Sequence, residues 1–294
     1  GPQGTLYGAS AMGGLLKYVT NEPDTVEFSG KAAVSASTTR RGGTGQTLSA
    51  VVNVPLREDV AGLRVSAFSD RSGGSVDSVG LRMGQDSDRG RTRGARLSLL
   101  LTPADRLKLR LTGTTQRIRR EGTDFSDYDP ATSLPVSAPP TRRLYAAEPY
   151  HVNIALLGAD LEYDFGWARL NAISSRQRVR SSAMIDFSSA YVPLLAGFGL
   201  DLGTTAATVR VGLDKSTQEL RLASKPGKRF DWLAGLYLNP ETTINRQLLT
   251  STLAEGGPGP ELLASAIPAR YRERAVYGDL TWKVAQRLAL TGGV

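Results

Sequence analysis

Residues 94–116 read GARLSLLLTPADRLKLRLTGTTQ. Side chains of an extended chain alternate between two faces. Ala95, Leu97, Leu99 and Leu101 therefore share one face, and Arg96, Ser98 and Thr102 share the other. After the turn PADR, Leu107, Leu109 and Leu111 lie opposite Lys108, Arg110, Thr112, Thr114 and Gln116. Two such strands joined tightly are a hairpin. Its polar face carries charge deep within the strands, not only near their ends.

The same alternation spreads in both directions. Upstream, Ala50, Val52, Val54 and Leu56 share a face, and after the turn REDVAG Leu63, Val65 and Ala67 oppose Arg64, Ser66 and Asp70. Downstream, Leu157, Ala159, Leu161 and Tyr163 oppose Asp160, Glu162 and Asp164. Ala168, Leu170 and Ala172 then oppose Arg169 and Asn171. Leu220 and Leu222 oppose Glu219 and Arg221, and Val276, Leu280 and Trp282 oppose Asp279, Thr281 and Lys283. Helical spacing is not sustained over any long stretch.

The links between these strands alternate in length. Short ones are expected near 57–62, 103–106, 165–166, 225–229 and 285–286, and long ones near 73–90, 120–152, 181–214 and 242–271. In an up-and-down sheet, consecutive links lie at opposite ends. Short turns at one end and long loops at the other are the pattern of transmembrane β-barrels. A soluble β-sandwich also alternates, but it does not sort its loops by length. Charges such as Arg110, Glu162, Glu219 and Arg221, placed mid-strand opposite leucine, suit a wet lumen.

Composition narrows the field further. The 294 residues include no cysteine and one histidine, His151. That excludes a disulfide framework, thiolate metal sites and a cysteine nucleophile. No apolar run reaches the roughly 18–20 residues a membrane-spanning helix needs. Lys+Arg number 36 against 28 Asp+Glu, a formal charge of +8. No recognition helix or stacking platform accompanies that charge, so nucleic acid is not expected as a partner. No paired carboxylates, nucleophile–base set or cofactor fingerprint is present. The chain is not expected to be an enzyme, and no catalytic residue, metal or cofactor is expected. It starts without Met and is read as a piece of a longer protein.

Residues 1–24, GPQGTLYGASAMGGLLKYVTNEPD, differ from the rest. A phosphate-binding loop is a poor reading, since no Gly-Lys-Ser/Thr closes the glycine run. The stretch Gly1, Pro2, Gln3, Gly4, Leu6, Tyr7, Gly8, then Gly13 and Gly14, then Val19, Thr20 and Pro23, resembles the end of the plug domain of TonB-dependent outer-membrane receptors. Met12 stands where that family usually has Ile or Val. QELRLAS (218–224), FDWLAGLYL (230–238), AVYGDLTW (275–282) and RLALTGGV (287–294) resemble its successive barrel strands.

The resemblance implies an all-β fold: a transmembrane up-and-down antiparallel β-barrel of about twenty-two strands, its lumen closed by a plug. This chain would hold the C-terminal end of the plug (1–24) and the first half of the barrel (25–294). An incomplete, open half-barrel of about ten to eleven strands is expected, without the TonB box. The resemblance also implies an outer-membrane receptor of a Gram-negative bacterium. It would bind a scarce nutrient, a ferric siderophore first among them, and import it with energy supplied by the TonB complex. The complete protein would be a monomer. The alternative is a passive porin-like or adhesin-like barrel.

Ligand contact is expected at the long-loop end, from Arg119, Arg120, Phe125, Tyr128, Tyr145 and Tyr150. The rings would stack on a ligand or order the loop. Asp124, Asp127 and Asp129 offer oxygens of the kind calcium takes, but their spacing fits no EF-hand, and they are read as a solvated loop. Arg89, Arg91, Arg93 and Arg96 should adjoin Arg117, Arg119 and Arg120 if their strands pair. Such a cluster would contact outer-membrane lipid and lipopolysaccharide, or capture an anionic ligand. The stretch AYVPLLAGFGLDLG (190–203) is a loop that either folds into the barrel mouth or lies beside lipid.

Overall fold

The computed structural model describes residues 19–129, 131–137, 141–227, 229–285 and 287–294. Gly1, Pro2, Gln3, Gly4, Leu6, Tyr7, Gly8, Gly13 and Gly14 of the glycine-rich motif lie outside the described residues.

The strands, in chain order, are β1 (Ser29–Thr38), β2 (Thr44–Arg57), β3 (Ala61–Ser72), β4 (Asp77–Gly80), β5 (Gly90–Ala104), β6 (Leu107–Arg120), β7 (Thr141–Leu144), β8 (Tyr150–Asp164) and β9 (Ala168–Asp186). A helix, α1 (Ser188–Ala196), precedes β10 (Leu202–Ser224), β11 (Phe230–Leu253), β12 (Pro258–Ala285) and β13 (Leu288–Gly293). All strands except β4 and β7 form one 11-stranded antiparallel sheet in chain order. Strands β1 and β13 each have one neighbour, so the sheet is open, as a half-barrel requires. Short turns follow β2, β5, β8, β10 and β12 and gather at one end. The turn after β8 is set by Gly166, which at φ 91° occupies the left-handed region that favours glycine.

The pairing register fixes which residues share a face. One row crosses the sheet as Ala61, Leu101, Leu109, Leu161, Ala172, Leu220, Leu236 and Val276. No second layer covers this apolar face: Leu157 is 64% exposed and Val276 80%. Among the described residues, the largest fully buried side chains are Glu148, Asn53, Thr205 and Ser188, all polar. A soluble sandwich would bury its leucines between sheets and leave polar groups outside. This chain does the reverse, and the leucines point outward.

The opposite face is the inner one. The segment from Val19 to Asp24 runs across it: Glu22 accepts hydrogen bonds from Lys108 at 2.6 Å and Arg110 at 3.0 Å, and Asn53 holds both the Asp24 carbonyl and its backbone N–H. Arg110 also reaches Asp160 at 2.9 Å, and Arg221 reaches Glu219 at 2.7 Å. Several mid-strand charges of the inner face are therefore paired.

Aromatic rings close the lower border of the apolar band. Tyr163, Phe165, Trp167 and Trp232 contact one another in sequence, with centroids 4.8, 6.1 and 6.2 Å apart, and Phe230 stacks on Trp282 at 6.3 Å. They lie at the short-turn end, where membrane barrels carry an aromatic girdle. In hydrocarbon, each leucine above this girdle gains roughly 1.5–3 kcal/mol relative to water.

Two link expectations need correction. Most of 181–214 and 242–271 is strand: β9 continues to Asp186, and β11 and β12 meet across a turn at 254–257. The reason is that a membrane crossing takes only about 9–11 residues, whereas β10, β11 and β12 have 23, 24 and 28. Above the bilayer both faces meet water, so hydrophobic alternation fades while the hydrogen-bond ladder continues. The stretch 190–203 holds most of α1 and the start of β10 rather than an irregular loop alone; Phe187 stacks on Tyr191 of the helix at 5.2 Å.

Candidate ligand-binding site

The long-loop end is built as a tied platform. The links that contain β4 and β7 join through parallel pairing of those two strands, from Asp77 with Thr141 to Gly80 with Leu144. Asp88, buried, accepts from the backbone N–H groups of Ser75 and Val76 at 2.7 and 2.8 Å, which folds the first of these links back on itself.

The second link, 121–149, is anchored by Glu148. It is 1% exposed, and it accepts from Arg142 twice, from Thr123 at 3.0 Å and from the Asp186 backbone N–H at 2.9 Å. Asp186 in turn takes the backbone N–H groups of Tyr145 and Ala146 at 2.6 and 3.0 Å, and both the N–H and hydroxyl of Ser188. Asp186 is the last residue of β9, twelve beyond Ser174 where the outward apolar run has ended, so it lies roughly 40 Å further along the strand. Burial penalises its charge. The Ser188 hydroxyl and the N–H groups of Ala146, Tyr145 and Ser188 outweigh that penalty and hold its carboxyl below the usual value. Ser188 closes the chain by exchanging hydrogen bonds with the Thr205 backbone. One network thus fixes the 121–149 link, the start of α1 and β10.

On this platform the sequence-expected residues separate into three groups. Phe125 and Tyr128 are exposed on the 121–149 link. Tyr145 is half-buried, its backbone held by Asp186. Arg120 and Tyr150 pair directly across β6 and β8 and share the inner face. Arg119, one residue earlier, is on the outward face opposite His151. A period of two in a strand separates these neighbouring arginines by the full thickness of the sheet.

The two arginine clusters do adjoin. Arg91 pairs with Arg119 and Arg93 with Arg117, all outward, whereas Arg96 is inward and Arg89 is held by Glu121 at 2.7 Å. Of the acidic group, Asp127 accepts from the Arg143 N–H and Asp129 from the N–H groups of Ala131 and Thr132. Asp129 shapes a turn, and Asp127 ties the link to β7. No group of three or more His, Asp or Glu side chains among the described residues is arranged to hold a metal ion.

Sequence reasoning did not find Glu148, Arg142, Asp186 and Ser188. Their partnership joins residues up to 46 positions apart, and no spacing in the chain signals it. What the arrangement offers is a charged inner face below a long-loop end that carries exposed Phe125 and Tyr128.

No family model matches the chain, and neither does any curated protein. Solved structures do. The ferric yersiniabactin uptake receptor FyuA of Yersinia pestis superposes with a TM-score of 0.76 at 19% identity, over 100% of this chain and 42% of that one. The ferric-catecholate import receptor Fiu of E. coli K12, in its open form, gives 0.73 at 16% identity, over 100% and 47%. The siderophore receptor PiuA of Acinetobacter baumannii gives 0.65 at 10% identity, over 99% and 48%. The chain therefore spans less than half the length of these receptors, and its fold is that of the corresponding part of an outer-membrane receptor barrel.

Proposed function

We propose that this chain forms the first half of the barrel of a TonB-dependent receptor in the outer membrane of a Gram-negative bacterium. Residues 1–24 would end its plug and 25–294 its first run of wall. The complete protein would bind a scarce nutrient, first of all a ferric siderophore, and import it with energy from the TonB complex. The observation that carries this reading is the placement of Val19–Asp24 on the inner face, held by Lys108, Arg110 and Asn53. A porin-like barrel has no reason to thread a segment of its own chain along its lumen wall. The ligand class is supported by what FyuA, Fiu and PiuA are named for.

The chain's own residues suggest how it would work. An anionic chelate entering the mouth meets the exposed rings of Phe125 and Tyr128, then Arg120 and Tyr150 on the inner face. A ligand moves the plug only if it binds one plug position better than another. The Glu22 contacts with Lys108 and Arg110 are partly solvated. Such pairs are worth about 0–1 kcal/mol each, so a pulled plug can release them at little cost.

The test is uptake of a radiolabelled ferric siderophore panel by cells carrying the full-length gene. Uptake that requires both the gene and TonB is expected. Accumulation that persists without TonB, with liposome swelling by the purified protein, would instead establish a passive barrel.

A further inference from the structure

We propose that the upper inner wall of β6, β8, β9 and β10 takes a ferric chelate whose body is apolar and whose edge is anionic. This narrows the substrate class of the receptor reading above and rests on it.

The polarity of the wall reverses along its height. At the lower levels leucine faces outward and charge inward, as Leu220 and Glu219 do on β10 and Leu161 and Glu162 on β8. Higher on the same strands the apolar residues are the inward ones. Ile154, Val179 and Leu213 pair in one row across β8, β9 and β10. The next inward row joins Ile118, Val152 and Val211 through Ser181. The outward positions at these levels hold Asn153, Arg178, Arg180, Arg210 and Asp214. Valine and isoleucine favour strands, which accounts for their presence and not for their all facing one way. Water on both sides leaves the mixture seen higher on β11, where inward Asn245 and Gln247 alternate with outward Ile244 and Leu248.

The reversal leaves an apolar panel inside the wall, and its borders say what it takes. Ile154, Val179, Val211 and Leu213 are half-buried, so they keep open surface toward the lumen. At the lower edge, Val19 and Thr20 border a recess of 390 Å³ together with Leu156 and Ile173. At the upper edge, one inward step above Ile118 and Val152, Arg120 pairs with Tyr150. Arg120 is exposed and has no carboxylate partner among the described residues. The panel is thus continuous with the Arg120 and Tyr150 contact already given to the ligand. Its occupant has an apolar body, which gains by leaving water against Val179 and Leu213, and an anionic group that meets Arg120. A wholly polar chelate would lose hydration against the panel with no hydrogen bond in exchange.

The experiment measures binding of radiolabelled Fe–HBED and Fe–EDTA to the full-length protein in vesicles, with protein-free vesicles subtracted. Both are ferric aminocarboxylates of equal charge; in HBED a hydroxybenzyl ring replaces one acetate arm on each nitrogen. Fe–HBED should bind about tenfold or more tighter, since even one methylene in an apolar site is worth about that much. Val179→Thr/Val211→Thr keeps β-branched residues in the strands and should cut the preference to within about twofold. Ser182→Ala/Thr208→Ala, outward at the same height, should leave the preference intact. Arg120→Gln should weaken both chelates about tenfold and keep the preference. Equal affinity for the two chelates, failure of both to bind, or equal loss of preference in the inward and outward double variants would overturn the proposal. So would a preference that survives the inward variant; if its unfolding temperature falls as well, another part of the complete chain covers the panel. The siderophore uptake test above separates the two readings. TonB-dependent uptake confined to wholly polar chelates such as ferric citrate refutes the apolar site alone, and absence of any TonB-dependent uptake refutes the receptor reading as well.

Discussion

Arg142 and Glu148 meet through two parallel hydrogen bonds, Nε to Oε2 at 2.8 Å and Nη2 to Oε1 at 2.7 Å, and water does not reach the Glu148 side chain. Breaking such a pair from one side leaves the buried Glu148 charge with only the Thr123 hydroxyl and the Asp186 N–H, at a cost approaching the about 3–5 kcal/mol of a buried charge that has lost its partner. Arg142→Ala should therefore loosen the 121–149 link while the wall keeps its pairing. Hydrogen exchange should rise in that link and at the start of α1, with no change in β2, β3 or β5. An increase spread over the whole sheet would show that Glu148 supports the barrel rather than the platform.

Acid should release the same platform through Asp186. Its pKa is lowered by folding, so its contribution is complete above the ordinary carboxylate value and is lost as pH falls through the lowered one. Pepsin should cut the 121–149 link increasingly as pH drops below about 4. In Asp186→Asn, which carries no charge to protonate, the accessibility of the link should depend less on pH over that range.

The two faces should respond oppositely to the same substitution. Leu157→Arg puts charge into the lipid-facing band, where arginine costs about 2–4 kcal/mol near the midplane. Thr114→Arg puts it on the inner face. Denaturant unfolding of the full-length protein from vesicles should be shifted by the first and barely by the second. Equal shifts would contradict the assignment of faces.

Gly235 lies beneath the ring of Tyr277, its direct partner across β11 and β12. A Cβ on Gly235 would sit 2.2 Å from the ring, and the Tyr277 hydroxyl is tethered to Glu219. Gly235→Ala should cost about 1–3 kcal/mol by overpacking, and most of that cost should vanish in a Tyr277→Ala background. Additive losses in a double-mutant cycle would show that the ring is not the obstacle.

The sequence displays the wall well, and for a physical reason. Lipid on one side and a charged lumen on the other force strict alternation, so Leu97, Leu99, Leu101 and their partners announce both the strand and its faces. The same cause explains where the signal stops. Thr242, Ile244, Arg246 and Leu248 share the outward face of β11 beyond the bilayer, where water no longer selects for leucine, and the ladder there is invisible to hydrophobic periodicity. The α1 helix has nine residues and an internal Pro193, too little for a periodic signature. At the site, Phe125, Tyr128, Arg120 and Tyr150 stand out by type and loop position. Arg119 is sorted from Arg120 only by register, and the Glu148 network only by tertiary folding.

Polar residues at the centre and leucine on the skin leave this chain with no comfortable state in water. Between synthesis and insertion it must carry an apolar wall with nothing behind it, and two such walls meeting in transit would adhere as readily as either adheres to acyl chains. Yield should then depend less on how stable the finished wall is than on how briefly the unfinished one is wet.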